Sequence, residues 1–195
     1  MPRRIGLLGG TFDPLHIGHL VVADQVLDQV GLDEVRLVVS HQPWQKVGER
    51  AITPPDRRFE MVAAAVAPFE GLEASDVEIC LGGPSYTVET LAALERDEPG
   101  VAWSVIVGAD AAAGLDTWHE ADKLRREREI VVVNRPGAPP AGPTGWRLRR
   151  VEIPSIDLSS TEIRTLVGEG RSVRHLVPDA VMHRIERWGL YRRGS

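Results

Sequence analysis

Only one of the 195 residues is cysteine, Cys80, so no internal disulfide can form and the core must hold without one. Cys80 falls in an apolar stretch that reads as a strand, where a lone thiol behaves as a small buried side chain. Long apolar runs are also missing: none approaches the roughly 20 residues that a membrane-spanning helix requires. Arg3-Arg4 is followed by a short apolar run and then glycines, so no signal peptide is expected and the chain reads as cytoplasmic. Positive charge is not in excess. The net charge of -5 leaves no footprint for nucleic acid or an anionic membrane, so any phosphate binding must be local. No G-x-G-x-x-G follows the first apolar run, which disfavours a dehydrogenase.

What is present is ordinary globular material, 43% hydrophobic and 26% charged, in a chain long enough for one domain with a substantial core. Strand and helix signals alternate along it. Strands are expected at 5–8, 35–39, around Val77 and Ile79 within 72–81, and at 101–107, 130–133 and 148–153. Helices are expected from Leu20 to Val30 and at 55–66, where Pro55 is acceptable in a first turn. Further helices are expected at 84–94, at 111–128 with a break near Asp116-Thr117-Trp118, and at 160–167 and 178–188. Residues 40–54 form a polar loop carrying His41, Trp44 and Lys46, and 135–145 is too rich in proline and glycine to be regular. The alternation predicts an α/β fold: a Rossmann-like doubly wound parallel sheet in a single domain over 1–195, with a helical C-terminal part from about residue 160. No repeat or interdomain linker is visible.

The first strand runs into Gly9-Gly10-Thr11-Phe12-Asp13-Pro14-Leu15-His16-Ile17-Gly18-His19 and then a helix. Open α/β sheets bind ligands at such a carboxyl end. Adjacent glycines admit a bulky anion, and the N–H groups at a helix start favour negative charge. His16 and His19 are three residues apart and project on the same side, suited to phosphate oxygens. A lone His-x-x-His is more often a pair lining an ordinary helix; eleven residues in register after a strand favour the phosphate reading. The stretch resembles the signature of the nucleotidylyltransferase superfamily, carried here by Thr11, His16, Gly18 and His19. The full string is similar to that of the bacterial nicotinate mononucleotide adenylyltransferase family.

Three further segments extend the resemblance. Leu158-Ser159-Ser160-Thr161-Glu162-Ile163-Arg164 resembles the second signature of the superfamily, with Leu158 in place of a leading isoleucine. Hydroxyls at a helix start and an arginine one turn in can hold phosphate, although Ser/Thr followed by Glu is also how ordinary helices begin. Gly108-Ala109-Asp110 follows the fourth strand; the resemblance implies adenosine contact, with Asp110 near the ribose or adenine, while an Asp there equally caps the next helix. Pro84-Ser85-Tyr86-Thr87-Val88 and Trp118-His119 resemble the pyridine-nucleotide side. Trp118 reads either as a core aromatic or as an exposed ring face, whereas Trp103, in mid-strand, reads as core. His41, His175 and His183 read as ordinary surface or helix histidines. One departure stands out: the family carries His-Lys at the end of the loop after the second strand, and here Gln45 precedes Lys46.

The resemblance implies transfer of the adenylyl group of ATP to the 5′-phosphate of nicotinate mononucleotide, giving nicotinate adenine dinucleotide and pyrophosphate in NAD biosynthesis. It implies His16, His19, Lys46 and Arg164 as catalytic residues. ATP would be bound by Gly9, Gly10, Thr11, Phe12, His16, His19, Gly108, Asp110, Ser159, Ser160, Thr161 and Arg164. The acceptor would meet Lys46, Tyr86, Thr87 and Trp118. Mg²⁺ would be held mainly by ATP phosphates, with no protein metal site. Two other classes remain open: another superfamily enzyme, such as a pantetheine-phosphate adenylyltransferase or cytidylyltransferase, and a non-catalytic ATP-sensing module. A homo-oligomer is left open as well.

Overall fold

Six parallel strands form one sheet in the order β3-β2-β1-β4-β5-β6 in the computed structural model, which describes residues 2–42, 52–134 and 142–192. β1 (Arg4–Gly10) and β4 (Ala102–Gly108) are the central neighbours, in register from Arg4 opposite Ala102 to Leu8 opposite Ile106. β2 (Glu34–Val39) and β3 (Leu72–Ser75) extend the sheet on one side, β5 (Glu129–Asn134) and β6 (Arg147–Glu152) on the other. The inner strands are buried on both faces, and their sequences are near-continuous Val, Ile and Leu, as covered parallel strands require.

Helices cover both faces. α1 (Ile17–Val30) and α2 (Pro55–Val66) pack into the first core with α7 (Ser160–Gly168) and α8 (Asp179–Trp188), around Val26, Leu37, Met61 and Ile163. α4 (Thr87–Asp97), α5 (Ala109–Ala113) and α6 (Ala121–Glu127) build the second around Leu91, Trp103, Leu124 and Ile130. Trp103 is core, 4% exposed. The break expected near residue 116 is a short 3-10 turn at Leu115–Thr117 between α5 and α6. No described helix is long and apolar enough to cross a membrane.

One segment differs from expectation. The strand placed around Val77 and Ile79 ends at Ser75, and Val77–Leu81 is a helix, α3. β3 is an edge strand whose pairing with β2 stops at Val38 opposite Ser75. Beyond it the Ser75 hydroxyl accepts the Val77 N–H (3.3 Å), and the Asp76 carbonyl accepts the Cys80 N–H (2.9 Å), so the backbone is satisfied locally in a turn. Cys80 therefore stands exposed on a helix instead of buried in a sheet. Residues 84–86 likewise precede α4: Pro84 bridges Gln42 in extended backbone, and the helix starts at Thr87.

Candidate active site

The chain leaves β1 toward β2 and leaves β4 toward β5, so the carboxyl ends of these neighbours diverge and open a cavity of about 400 Å³. Gly9, Gly10, Thr11, Phe12, His19, Gly108, Ser160 and Arg164 line it on the expected ATP side, and Tyr86, Thr87 and Trp118 on the expected acceptor side. Four expected residues are not on its walls. His16 lies buried behind His19, Asp110 points to solvent on α5, Ser159 caps α7 by accepting the Glu162 N–H (3.1 Å), and Thr161 accepts from Arg164 (2.9 Å). Lys46 and Trp44 lie outside the described residues.

The two glycines of the motif differ. A methyl group at Gly9 would meet little, so its bareness keeps the cavity open, whereas at Gly10 it would lie 2.7 Å from the Phe12 ring. Phe12 has φ of 47°, a left-handed conformation that costs a bulky residue roughly 1–2 kcal/mol, and its ring is buried edge-on against His19 at 5.0 Å. At α1 the carbonyls of Leu176 and His16 accept the N–H groups of Ile17 and His19. Those two N–H groups are therefore already engaged within the protein.

His16 and His19 stack with ring centroids 3.8 Å apart. The His16 backbone N–H donates to His19 Nδ1 (3.2 Å), so a neutral His19 carries its proton on Nε2 and remains a donor for the cavity. Burial pulls the His16 imidazole down from 6.5 to about 4, so it is neutral at pH 7, and its buried Nδ1 meets no partner among the described residues. Gly18 accounts for the fit: a methyl group there would press on the His16 ring at 3.0 Å.

The two signatures, far apart in sequence, are bonded together. The Arg164 guanidinium donates to the Asp13 carbonyl (2.8 Å) while lining the cavity, and the Ser160 hydroxyl donates to the Pro14 carbonyl (2.9 Å). The Asp13 carboxylate, itself buried, accepts from the Tyr191 hydroxyl (2.7 Å) and the Thr53 N–H (3.4 Å). Burial, reinforced by the Asp13 charge, pushes the Tyr191 phenol far up, so it stays protonated as a donor.

On the expected acceptor side α4 begins at Thr87; the Tyr86 carbonyl takes the N–H groups of Glu89 and Thr90, both at 3.0 Å, and the N–H groups ahead of these open the helix beyond the reach of its own carbonyls. Trp118 is half-buried: it packs against the second core and also lines the cavity, so it fits neither the core nor the exposed reading alone. His119, beside it, also lines the cavity and stacks on Tyr86 at 4.3 Å. His119 and Ser85, named in the sequence only within the segments resembling the pyridine-nucleotide side, both line the cavity, as does Ser40. Sequence reasoning did not single out Ser40 or Arg58, because neither carries a local pattern and their contacts join distant segments. Among the described residues no group of three or more His, Cys, Asp or Glu is placed to hold a metal ion.

The cytidylyltransferase-like family model matches residues 7–166. A probable nicotinate-nucleotide adenylyltransferase of Exiguobacterium sibiricum is 42% identical over 188 residues, covering 96% of this chain and 98% of its own length. One from Rubrobacter xylanophilus is 40% identical, covering 97% and 92%. The chain belongs to the nicotinate-nucleotide adenylyltransferase family. Among solved structures, the Plasmodium falciparum nicotinic acid mononucleotide adenylyltransferase, described in complexes with NaAD and with APC, superposes with TM-scores of 0.78 and 0.76 at 18% identity. Each superposition covers 97% of both chains and supports the fold alone. Membership in that family makes the chain a nucleotidyltransferase.

Proposed function

We infer that the chain transfers the adenylyl group of ATP to the 5′-phosphate of nicotinate mononucleotide, releasing pyrophosphate and serving NAD biosynthesis. The observation that carries this reading is the union of both signatures and the aromatic acceptor wall on one cavity at the switch point between β1 and β4. A phosphate oxygen of the acceptor forms the new bond to the α-phosphorus of ATP. The bond from that phosphorus to the bridging oxygen breaks, and pyrophosphate leaves with the electron pair. With a second pKa of about 6, the acceptor phosphate is already largely dianionic at neutral pH, so no strong base is needed. Positioning and charge stabilisation then carry the rate.

In this reading His19 Nε2–H and Arg164 meet phosphate oxygens, and His16 holds the His19 ring in place. The resemblance gives the same role to Lys46, which lies outside the described residues. Gly9, Gly10, Thr11, Phe12, Gly108 and Ser160 shape the ATP side; Ser159 and Thr161 act through the start of α7, and Asp110 serves at the rim. Trp118 stacks on the pyridine ring, and the Tyr86–Thr87 helix start reads the acceptor carboxylate. The donors at the expected phosphate positions are neutral or cationic, and the Asp13 carboxylate is engaged by Tyr191 and Thr53, so Mg²⁺ fits as a companion of the triphosphate. Bound there it neutralises developing charge on the phosphate oxygens. A cytoplasmic location belongs to the same reading, and the net charge of -5 supports small-molecule substrates over nucleic acid.

The test is product formation from ATP with nicotinate mononucleotide, its amide analogue and phosphopantetheine. The acid should be preferred over the amide in kcat/KM, and Trp118→Ala should raise the acceptor KM with the ATP KM little changed. Equal use of acid and amide would remove the carboxylate assignment, and exclusive use of phosphopantetheine would overturn the reading.

A further inference from the structure

Arg58 sits on α2, only 1% exposed, and takes no place on the cavity wall. Its guanidinium donates to the carbonyls of Thr11 (2.7 Å), Ser40 (2.8 Å), His41 (3.3 Å) and Thr53 (2.8 Å). Those oxygens belong to three separate stretches: the ATP motif loop, the chain leaving β2, and the chain entering α2. From His41 the connection continues toward the acceptor side. The His41 N–H donates to Ser85 Oγ (3.0 Å), the Ser85 N–H donates to the Gln42 carbonyl (3.3 Å), and Gln42 bridges Pro84. Ser85 directly precedes Tyr86 and Thr87 on the acceptor wall.

We propose that Arg58 is a positioning residue that sets the spacing between the ATP motif loop and the acceptor turn, through one rigid planar fork buried beneath both. The proposal rests on the assignment of Tyr86–Thr87 to the acceptor. In-line transfer between two separately held phosphates is sensitive to that spacing, since a displacement of about 1 Å costs on the order of 100-fold in rate. Lysine cannot substitute: it keeps the charge but offers a point ammonium without the fork that spans separate carbonyls.

The experiment compares wild type, Arg58→Lys, Ser85→Ala and Leu124→Ala at a temperature where circular dichroism shows each to be folded. Leu124, fully buried in the second core, controls for lost stability alone. Arg58→Lys should lower kcat roughly 10- to 100-fold while both KM values stay within about threefold. Ser85→Ala should lower kcat in the same manner by roughly three- to tenfold. Leu124→Ala should lose stability with kcat within about twofold of wild type. A kcat near wild type in folded Arg58→Lys, or an equal loss of kcat in Leu124→Ala, overturns the proposal. If Arg58→Lys does not fold, Ser85→Ala decides, and a wild-type kcat there overturns it. A wild-type enzyme that makes no dinucleotide from nicotinate mononucleotide refutes the acceptor assignment instead.

Discussion

His16 and His19 stack at 3.8 Å, yet only His19 lines the cavity. A buried neutral imidazole behind a cavity-facing one can fix the latter's ring without touching phosphate. His19→Ala should therefore cut kcat by roughly 10²–10³ with a small change in ATP KM, as loss of a transition-state donor does. Steady-state kinetics decide it: a near-normal kcat with collapsed ATP affinity would make His19 a ground-state ligand. His16 has a signature of its own in stability. Its folded imidazole titrates at about 4 and an unfolded one near 6.5, so between those values the unfolded state binds more protons. Stability from this group is complete above pH 6.5 and is lost as pH falls toward 4. His16→Asn should flatten the drop in unfolding free energy between about pH 7 and pH 4.5 by roughly 1–3 kcal/mol, read by urea titration at both values. An unchanged pH slope would contradict the assignment. The spacing of the two histidines was legible in the sequence; the burial that makes one neutral was not, because it comes from packing by residues remote in the chain.

At the scale of elements, the turns at the carboxyl ends of β1 and β4 do the positioning. Gly108 ends β4 in extended backbone, with φ of -73°, and a methyl group there would meet nothing within 4 Å. Valine at this position should fold with a stability change below about 1 kcal/mol but fill space the nucleotide needs. Gly108→Val should raise the ATP KM by at least about tenfold, whereas an unaltered KM would place the nucleotide elsewhere. Elements with strong periodicity, such as β2, β5 and α2, lie within a residue or two of where the sequence puts them. α3 does not. Its Val-Glu-Ile-Cys run alternates like a strand, but β3 has only β2 to pair with, and the Ser75 hydroxyl takes the Val77 N–H out of the ladder.

The whole molecule separates stability from chemistry along the strand axis. At the amino ends of β2 and β4, away from the cavity, the buried Arg36 guanidinium bonds Glu34 and Glu98 and lies over the Trp103 ring at 5.2 Å. Removing that cation leaves the Glu34 carboxylate, whose side chain is 5% exposed, with the half-exposed Arg3 as its remaining cationic partner, and leaves Glu98 without the Arg36 bond. Arg36→Met should cost roughly 3–5 kcal/mol in urea unfolding while kcat and KM stay near wild type in the folded protein. A loss of activity without loss of stability would show that the two ends of the sheet are coupled.

Sequence alone determined the α/β alternation, the Gly-Gly-to-His motif at the end of the first strand, and the hydroxyl and arginine signature that opens α7. These are local patterns, readable because backbone hydrogen bonding and side-chain periodicity act over a few residues. Tertiary structure decided what depends on distant segments meeting. It joined Arg164 to Asp13 and Ser160 to Pro14, put His16 behind His19, and turned α3 out of the sheet edge. It also buried Arg58 among four carbonyls from three stretches of chain. No local pattern encodes such a junction, because its donors and acceptors come into reach only when the sheet has formed and its helices have packed.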